Sequence, residues 1–534
     1  MSRWIVAVLA LAAIAASPAA GTPEQTPKRG GAVVYGPTPE LVCLNPVVTT
    51  CGGNANLESV LTPAFAIGPD FKARPKLVSR VTYTRTPPFT LTYHIRPEAR
   101  WSDGVPVSAQ DFVFTHGVIE KRLPSDPVHV NVRSVRAVDA KTVRVVLRSR
   151  FAGWRGLFWT VLPRHALASQ DLEAVWSDRI DNPTTGVPIG NGPFLVERLE
   201  RGRQLVLRRN PNYWGPHVAY LDRIVIRFCQ GCTLPSQTEV LDAFRQGEVD
   251  LLVTRQTEIV PDLRQISGVR AVVRPTSGWE NLVIRAGPGG HPALREKRVR
   301  RALAYAIDRV DIVHRVFGAI HPQYRPSDSA VFLTNVGYYR PNWQGYRYRP
   351  ALARRLLGQA GCRRGADGIY SCAGRRLELR LATPPFVSFR VQTVQLVQSH
   401  LRQAGVEAVL NFTQPSALFN QVLPSGDFDL VALGFFGDPA GSGKKDLFGC
   451  GGPVNYTGYC QRLVTRDLDQ ADRILDADER ARVLNRADRQ MAKDVPVVPL
   501  FDIPTVVAFR QSIRDFVPNP HDEFWNAENW WLER

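Results

Sequence analysis

"GPFLVERLERGRQLVLRRNPNYWG", residues 192–215, holds two apolar runs with polar residues interleaved, set about an Arg-Gly pair and stopped by Asn-Pro. Such runs bounded by turn formers are expected to be antiparallel strands, and Pro cannot continue a ladder because it has no N–H to donate. "LDRIVIRF", residues 221–228, predicts a third strand, and "SQTEVLDAFRQGEVD" after it has helical spacing. A hairpin running into strand and helix points to a mixed α/β chain.

The same alternation extends outward. On the N-terminal side "GGAVVYGPTP" and "FTLTYHIRP" (residues 89–97) predict strands, and "VDAKTVRVVLRS" (138–149) predicts a hairpin partner. Between them Ser108 is placed to cap a helix carrying Phe112, Val113 and Val118 on one side. On the C-terminal side "REKRVRRALAYAIDRVDIVHRVF", residues 295–317, predicts one helix through Val299, Leu303, Ala306, Val310 and Val313. "SFRVQTVQLVQSHLRQAGVEAVL" predicts helix, Gly, strand, and "ADERARVLNRADRQMAKDVPVVPLF" a charged helix before an apolar run. At 534 residues the chain exceeds what one core supports, so several tightly joined α/β domains are expected.

The first residues place these domains outside the cytoplasm. Arg3, an apolar run from Trp4 to Ala16 and small residues from Ser17 to Gly21 have the order of a secretory signal peptide, assigned to residues 1–21. No cysteine stands at that cleavage point to take a lipid, and no later run has the about 18 apolar residues of a membrane span, so a soluble mature chain is expected. The eight cysteines suit an oxidising compartment. They fall into the close pairs Cys43 with Cys51, Cys229 with Cys232, Cys362 with Cys372, and Cys450 with Cys460. About 105 connectivities exist in principle, and neighbour pairing is expected because each pair brackets a Gly-rich or turn-rich loop. The net charge of +18 comes mostly from scattered arginines without interleaved aromatics, which argues against nucleic-acid binding.

Catalytic patterns are missing. The ten histidines are scattered, and no His-Glu-x-x-His helix, nucleophile elbow, phosphate loop or calcium loop occurs, so neither metal nor cofactor is expected. Cys229-x-x-Cys232 between a strand and a helix has the order of a thioredoxin-like site, and a zinc knuckle uses the same spacing. Without a second matched pair, a structural cystine is the leading reading. An extracytoplasmic thiol-disulfide oxidoreductase using Cys229 and Cys232 is the alternative function. What remains is aromatic and amide side chains in loops: Trp279, Glu280 and Asn281 in "TSGWENLVIR", then Phe435, Phe436, Asp438, Asn455, Tyr456 and Tyr459 in "LGFFGDPAGSGKKDLFGCGGPVNYTGYC". Aromatic walls with a few polar groups are what a small-ligand cleft requires, although any single Phe is more often a core plug.

In this order the segments resemble a family: the extracytoplasmic solute-binding proteins of ABC importers, family 5, which includes oligopeptide-, dipeptide- and nickel-binding members. The similarity covers most of the mature chain. It is carried by "YHIRPEARWSDGVPVSAQDFVFT", "GNGPFLVERLERGRQLVLRRNPNYWG", "VLDAFRQGEVDLL", "VRRALAYAIDR", "QLVQSHLRQAGVEAVL" and "NYTGYC". It implies a periplasmic-binding-protein-like, two-lobed α/β fold of type II with mixed sheets, an inserted domain and a hinge. Domain I is expected at 31–60, 186–276 and 500–534, domain II at 61–185, and domain III at 277–499. The implied function is capture of a peptide or peptide-like solute and delivery to ABC permease subunits by a monomer at the periplasmic or extracellular face, with no bond broken. The implied ligand-binding set is Trp279, Asn281, Phe435, Phe436, Asp438, Asn455, Tyr456 and Tyr459. In peptide-binding members an acid pairs with the peptide's ammonium where this chain has Phe435, while Asp438 and Pro439 match a second, helix-capping pair. The ligand stays open among a free-amine peptide, a blocked peptide and another solute; if it is uncharged or N-blocked, it is expected to stack on Phe435 and Phe436.

Overall fold

The computed structural model describes residues 26–48, 57–123, 126, 128–229, 232, 235–385, 387–438 and 441–533; the expected signal peptide, Cys51 and Pro439 lie outside them. Ten strands make one mixed sheet. In chain order they are β1 (Ala32–Thr38), β2 (Phe194–Glu200), β3 (Gln204–Arg209), β4 (Arg223–Phe228), β5 (Leu251–Thr254), β6 (Val269–Ile284), β7 (Glu378–Thr383), β8 (Glu407–Phe412), β9 (Leu430–Phe436) and β10 (Val497–Arg510). Across the sheet the order is β8-β7-β9-β6-β10-β5-β1-β4-β3-β2. The expected hairpin is β2 and β3, antiparallel from Phe194↔Arg209 to Glu200↔Gln204. β1 joins β4 and β5 in parallel, whereas β6 is antiparallel to both β9 and β10.

A second, four-stranded antiparallel sheet comprises Val78–Tyr83, Thr90–Ile95, Thr142–Leu147 and Val132–Ala137 in that spatial order. Helix α1 (Ala109–Arg122) packs on it and starts where Ser108 predicted. There the Asp111 carboxylate accepts from Ser108 N at 2.8 Å, reciprocating the cap.

Apolar side chains gather into two cores. One includes Val33, Tyr93, Trp101, Phe112, Phe194 and Ile224, and the other includes Leu252, Leu282, Leu303, Val394, Leu430 and Val497. β10 serves both: Val507 and Phe509 lie in the first core, Val506 and Ala508 in the second. β6 and β10 pair continuously from Val269↔Arg510 to Pro275↔Pro504, lose register, and resume at Trp279↔Asp502. Two facing prolines supply no N–H to the ladder, so the strands are held at that point by Thr276, whose hydroxyl donates to Ile503 O at 3.0 Å and accepts from Gly278 N at 3.0 Å.

Two sequence expectations change. Residues 295–317 form two helices, α2 (Lys297–Ala306) and α3 (Arg309–Phe317). Ile307 is extended, and the Asp308 carboxylate accepts from Val310 N and Asp311 N, capping a new helix where the apolar period alone continues the old one. Trp279, Glu280 and Asn281 are not in a loop ahead of a strand but inside β6, whose 16 residues run past the polar stretch because β9 and β10 cover both its edges. Cystines join Cys229 to Cys232, Cys362 to Cys372 and Cys450 to Cys460. Cys43 is disulfide-bonded as well.

Candidate functional site

Beyond the proline pair, β9 ends and its pairing with β6 stops part-way along β6, Gly278 opposite Phe436 and Trp279 opposite Phe435. Opposed residues share a face and successive residues alternate, so Trp279 and Phe435 lie on one face while Phe436 lies on the other. Phe435 is 5% exposed and fills the space between Trp279 and Phe448, with edge-to-face contacts at 6.2 and 5.7 Å. Phe436 is 44% exposed and lies against Gly278, where a Cβ would come within 2.5 Å of the ring. Glycine at 278 is thus required by the approach of Phe436.

Charged groups surround these rings. Helix α4 (Ser388–Gln403) brings Arg390 to Glu280 in a buried, two-pronged pair, Nε to Oε1 at 2.7 Å and Nη2 to Oε2 at 2.8 Å. On the Phe436 side the Arg255 guanidinium, just past β5, stands 4.9 Å above the ring. On the Trp279 side Lys444, the first residue of α5 (Lys444–Phe448), puts Nζ 3.9 Å from the indole. Lys444 is 2% exposed. Burial pulls its ammonium down to about 8, against the opposing pull of Asp438 and Asp472. Asp472 accepts from Gly443 N at 2.8 Å, and burial pushes its carboxyl up to about 6. Asp438 accepts from the Ser442 hydroxyl at 2.7 Å.

The first core meets this region through the short turn Ala152–Gly156, which packs against helix α6 (Arg462–Arg473). A Cβ at Gly153 would stand 3.1 Å from Ser442 Oγ. Arg155 stacks on Trp154 at 4.3 Å and is exposed to water; burial and Arg480 lower its pKa against the pull of Asp438. Arg155 thus stands at the solvent-exposed junction of the two cores, the crevice where this turn abuts Ser442.

Four of the eight residues expected at the ligand, Trp279, Phe435, Phe436 and Asp438, lie at this strand end. Asn281 is fully buried two residues deeper along β6. Asn455, Tyr456 and Tyr459 are placed elsewhere: Arg285, past the opposite end of β6, donates to Tyr456 O at 3.0 Å, and Gly458 abuts Gly287. Seven residues separate Trp279 from Ala286, roughly 20 Å of strand. The Asn455 amide braces its own loop, donating to Gly449 O at 2.7 Å and Tyr459 O at 2.9 Å beside the Cys450–Cys460 cystine, while the Tyr459 hydroxyl bonds Asp494 at 2.8 Å. Sequence reasoning missed Arg155, Arg255, Arg390 and Lys444. Among 67 lysines and arginines nothing distinguishes them, although Lys444 sits inside the very loop whose aromatics drew attention. Among the described residues no group of three or more His, Cys, Asp or Glu could hold a metal ion.

A family model described as bacterial extracellular solute-binding proteins, family 5 Middle, matches residues 72–447. The oligopeptide-binding protein OppA of Mycobacterium tuberculosis is 28% identical over 478 residues, covering 86% of this chain and 78% of that protein. Among solved structures, a periplasmic EDTA-binding protein, EppA, superposes with a TM-score of 0.84 at 24% identity, covering 96% of this chain and 98% of its own. The oligopeptide-binding protein AppA of Bacillus subtilis, in complex with a nonapeptide, superposes with a TM-score of 0.73 at 19% identity, covering 95% of this chain and 100% of its own.

Proposed function

The chain belongs to the bacterial extracellular solute-binding proteins of family 5, and from that premise we propose that it captures a peptide or peptide-like solute outside the membrane, between two lobes, and delivers it to an ABC permease. The observation that carries the reading is the pairing of β6 with β10, the strand that serves both cores, which loses its ladder at Pro275 and Pro504 near the exposed Phe436. Two strands joined weakly at one point form a hinge whose bending opens and closes the crevice at Phe436. The break lies near the proposed boundaries: domain I at 31–60, 186–276 and 500–534, domain II at 61–185, and domain III at 277–499. The proposal includes export by the N-terminal signal, action as a monomer, and no chemical turnover. The oxidoreductase alternative is not favoured, since the matching family model and the relatives of this chain are solute- and oligopeptide-binding proteins.

Small-angle scattering tests the hinge. With a peptide pool at concentrations that saturate a calorimetric signal, the radius of gyration is expected to fall. An unchanged profile at saturation overturns the closing mechanism.

A further inference from the structure

Helices α6 and α7 (Ala477–Asp494) pack against each other and turn a basic face to water. Their apolar sides, Val464 and Leu468 on α6 and Leu484 and Met491 on α7, belong to the second core. Past the first turn of α7 every exposed position is a cation: Arg482, Arg486, Arg489 and Lys493. Helical spacing keeps these on one stripe roughly 16 Å long. On α6 the exposed positions are Arg462, Leu463, Arg466, Gln470 and Arg473. A groove of about 220 Å³ lies between the helices, and its lining includes Leu463, Arg466, Asp467, Arg486, Arg489 and Lys493. Its acid, Asp467, is buried and already taken: Arg486 donates to it through Nε at 2.7 Å and Nη2 at 3.0 Å, and Arg466 through Nη2 at 3.2 Å. The half-buried acids of the pair are engaged by other groups, Asp469 by Lys445 and Arg473, Asp472 by Gly443 N, and Asp494 by Tyr459 Oη and Gln490 Nε2. Among the described residues Arg462, Arg482, Arg489 and Lys493 have no ion pair. Water hydrates each of them singly. Their spacing is what is unfavourable, because Arg462 and Arg466, Arg482 and Arg486, and Arg489 and Lys493 each stand one helical turn apart, where like charges repel.

We propose that this face docks on an anionic lipid surface, with the phosphate of a phospholipid headgroup set into the groove at Arg489 and Lys493 and the stripe from Arg482 to Lys493 lying along the membrane. The proposal is independent of what the crevice between the lobes holds. A phosphodiester presents two unesterified oxygens to these cations in charge-assisted hydrogen bonds and relieves the repulsion between them, while Arg486 stays on Asp467. Charge complementarity alone also admits an acidic peptide. Extent favours the membrane. Screening confines a peptide's attraction to cations within about 8 Å of it, whereas a plane of headgroups meets the whole stripe and draws as well on the net charge of +18. Leu463, 52% exposed in the lining of the groove, adds an apolar side chain at the depth where headgroups give way to acyl chains.

Co-sedimentation of the full chain with vesicles tests this, using phosphatidylcholine alone and phosphatidylcholine mixed in equal parts with phosphatidylglycerol. Binding to the neutral vesicles reads what the apolar run from Trp4 to Ala16 contributes, and the excess on the mixed vesicles reads the charge. The double variant R489Q/K493Q is compared with R80Q/R144Q, which removes the same charge from exposed positions of the four-stranded sheet. The excess is expected to fall as salt is added, to fall at least tenfold in R489Q/K493Q, and to stay within about twofold of the parent in R80Q/R144Q. All the substituted side chains are exposed, so the melting temperatures of both variants should match the parent. No excess on the mixed vesicles overturns the proposal. An equal loss in both variants also overturns it, since net charge alone then drives adsorption, and so does a full excess retained by R489Q/K493Q. Calorimetry with polyglutamate supplies the last arm. Binding to it tighter than to the mixed vesicles at equal charge, and lost in R489Q/K493Q, assigns the groove to an acidic protein and overturns the lipid.

Discussion

Lys444 carries its charge where burial makes charge costly. Folding moves its pKa from 10.5 to about 8, and at about 1.36 kcal/mol per unit that displacement amounts to roughly 3 kcal/mol against the folded state. Below pH 8 the folded chain bears the buried charge in full. From 8 to 10.5 the unfolded chain binds the proton more readily, so this group makes stability rise with pH over that window. K444M keeps most of the apolar stem and removes the ammonium. It is expected to stabilise the ligand-free protein at pH 7 by up to roughly 3 kcal/mol, and to lose that advantage as pH climbs past 8. Urea melts at pH 7 and pH 10 read the difference. Equal stability of parent and variant at pH 7 would show that Lys444 finds a compensating partner in solution.

Along β9 the two-residue period of a strand separates neighbours that look equivalent in the sequence. Phe435 fills the gap between Trp279 and Phe448, while Phe436 leans over Gly278 into the crevice beneath Arg255. A large-to-small change at a filled core position costs about 3–5 kcal/mol, and a buried carboxylate adds to it. F435D is therefore expected to destabilise the chain by at least roughly 3 kcal/mol rather than to retune its ligand. F436A is expected to change stability by less than about 1 kcal/mol while weakening the solute that packs on the ring. Chemical denaturation separates the two variants. A stable, well-folded F435D would mean that the register between β6 and β9 differs from Trp279↔Phe435. Glu280 and Arg390 show the same logic in charge, since both oxygens of this acid, on the opposite face from Trp279, are taken by Arg390.

Over the whole molecule, segments more than 400 residues apart in sequence meet in a cluster of acids. Asp522 and Glu523, near the C-terminus, lie with Glu58 and Lys76. Burial first, and Glu523 second, push the Asp522 carboxyl up to about 7. Burial followed by Asp522 and Glu523 raises Glu58, and burial raises Glu523, with Lys76 pulling against the shift at Glu58 and Asp522. Carboxyls whose folded pKa is raised bind protons more tightly in the folded chain, so their contribution is full below the unfolded value of 3.8 and is lost as pH rises towards 7. The melting temperature is expected to be higher at pH 5 than at pH 7.5, and D522N to flatten that slope. A parent protein equally stable at both values would contradict the cluster's shared protons.

The α/β class, the β2–β3 hairpin about Arg-Gly, the Ser108 cap and three of the cystine pairings were legible in the sequence because each depends on residues close along the chain. Alternation, caps and turn formers act over a few positions, and a short cystine closes where its loop already turns. The break at Asp308 was missed for the complementary reason: the apolar spacing of 295–317 continues unbroken, and the cap is visible only once the second helix points elsewhere. The crevice was half legible. Its aromatics stand out in a Gly-rich segment, but which of Phe435 and Phe436 faces water depends on register against β6, set by residues about 150 positions away. Its charges were not legible at all. Arg155, Arg255, Arg390 and Lys444 come from segments far apart in sequence, and what distinguishes them is that the fold pairs one with Glu280 and leaves the others with rings. Local pattern determined the elements of this protein, whereas pairing and burial, which exist only when distant segments meet, decided what its crevice can hold.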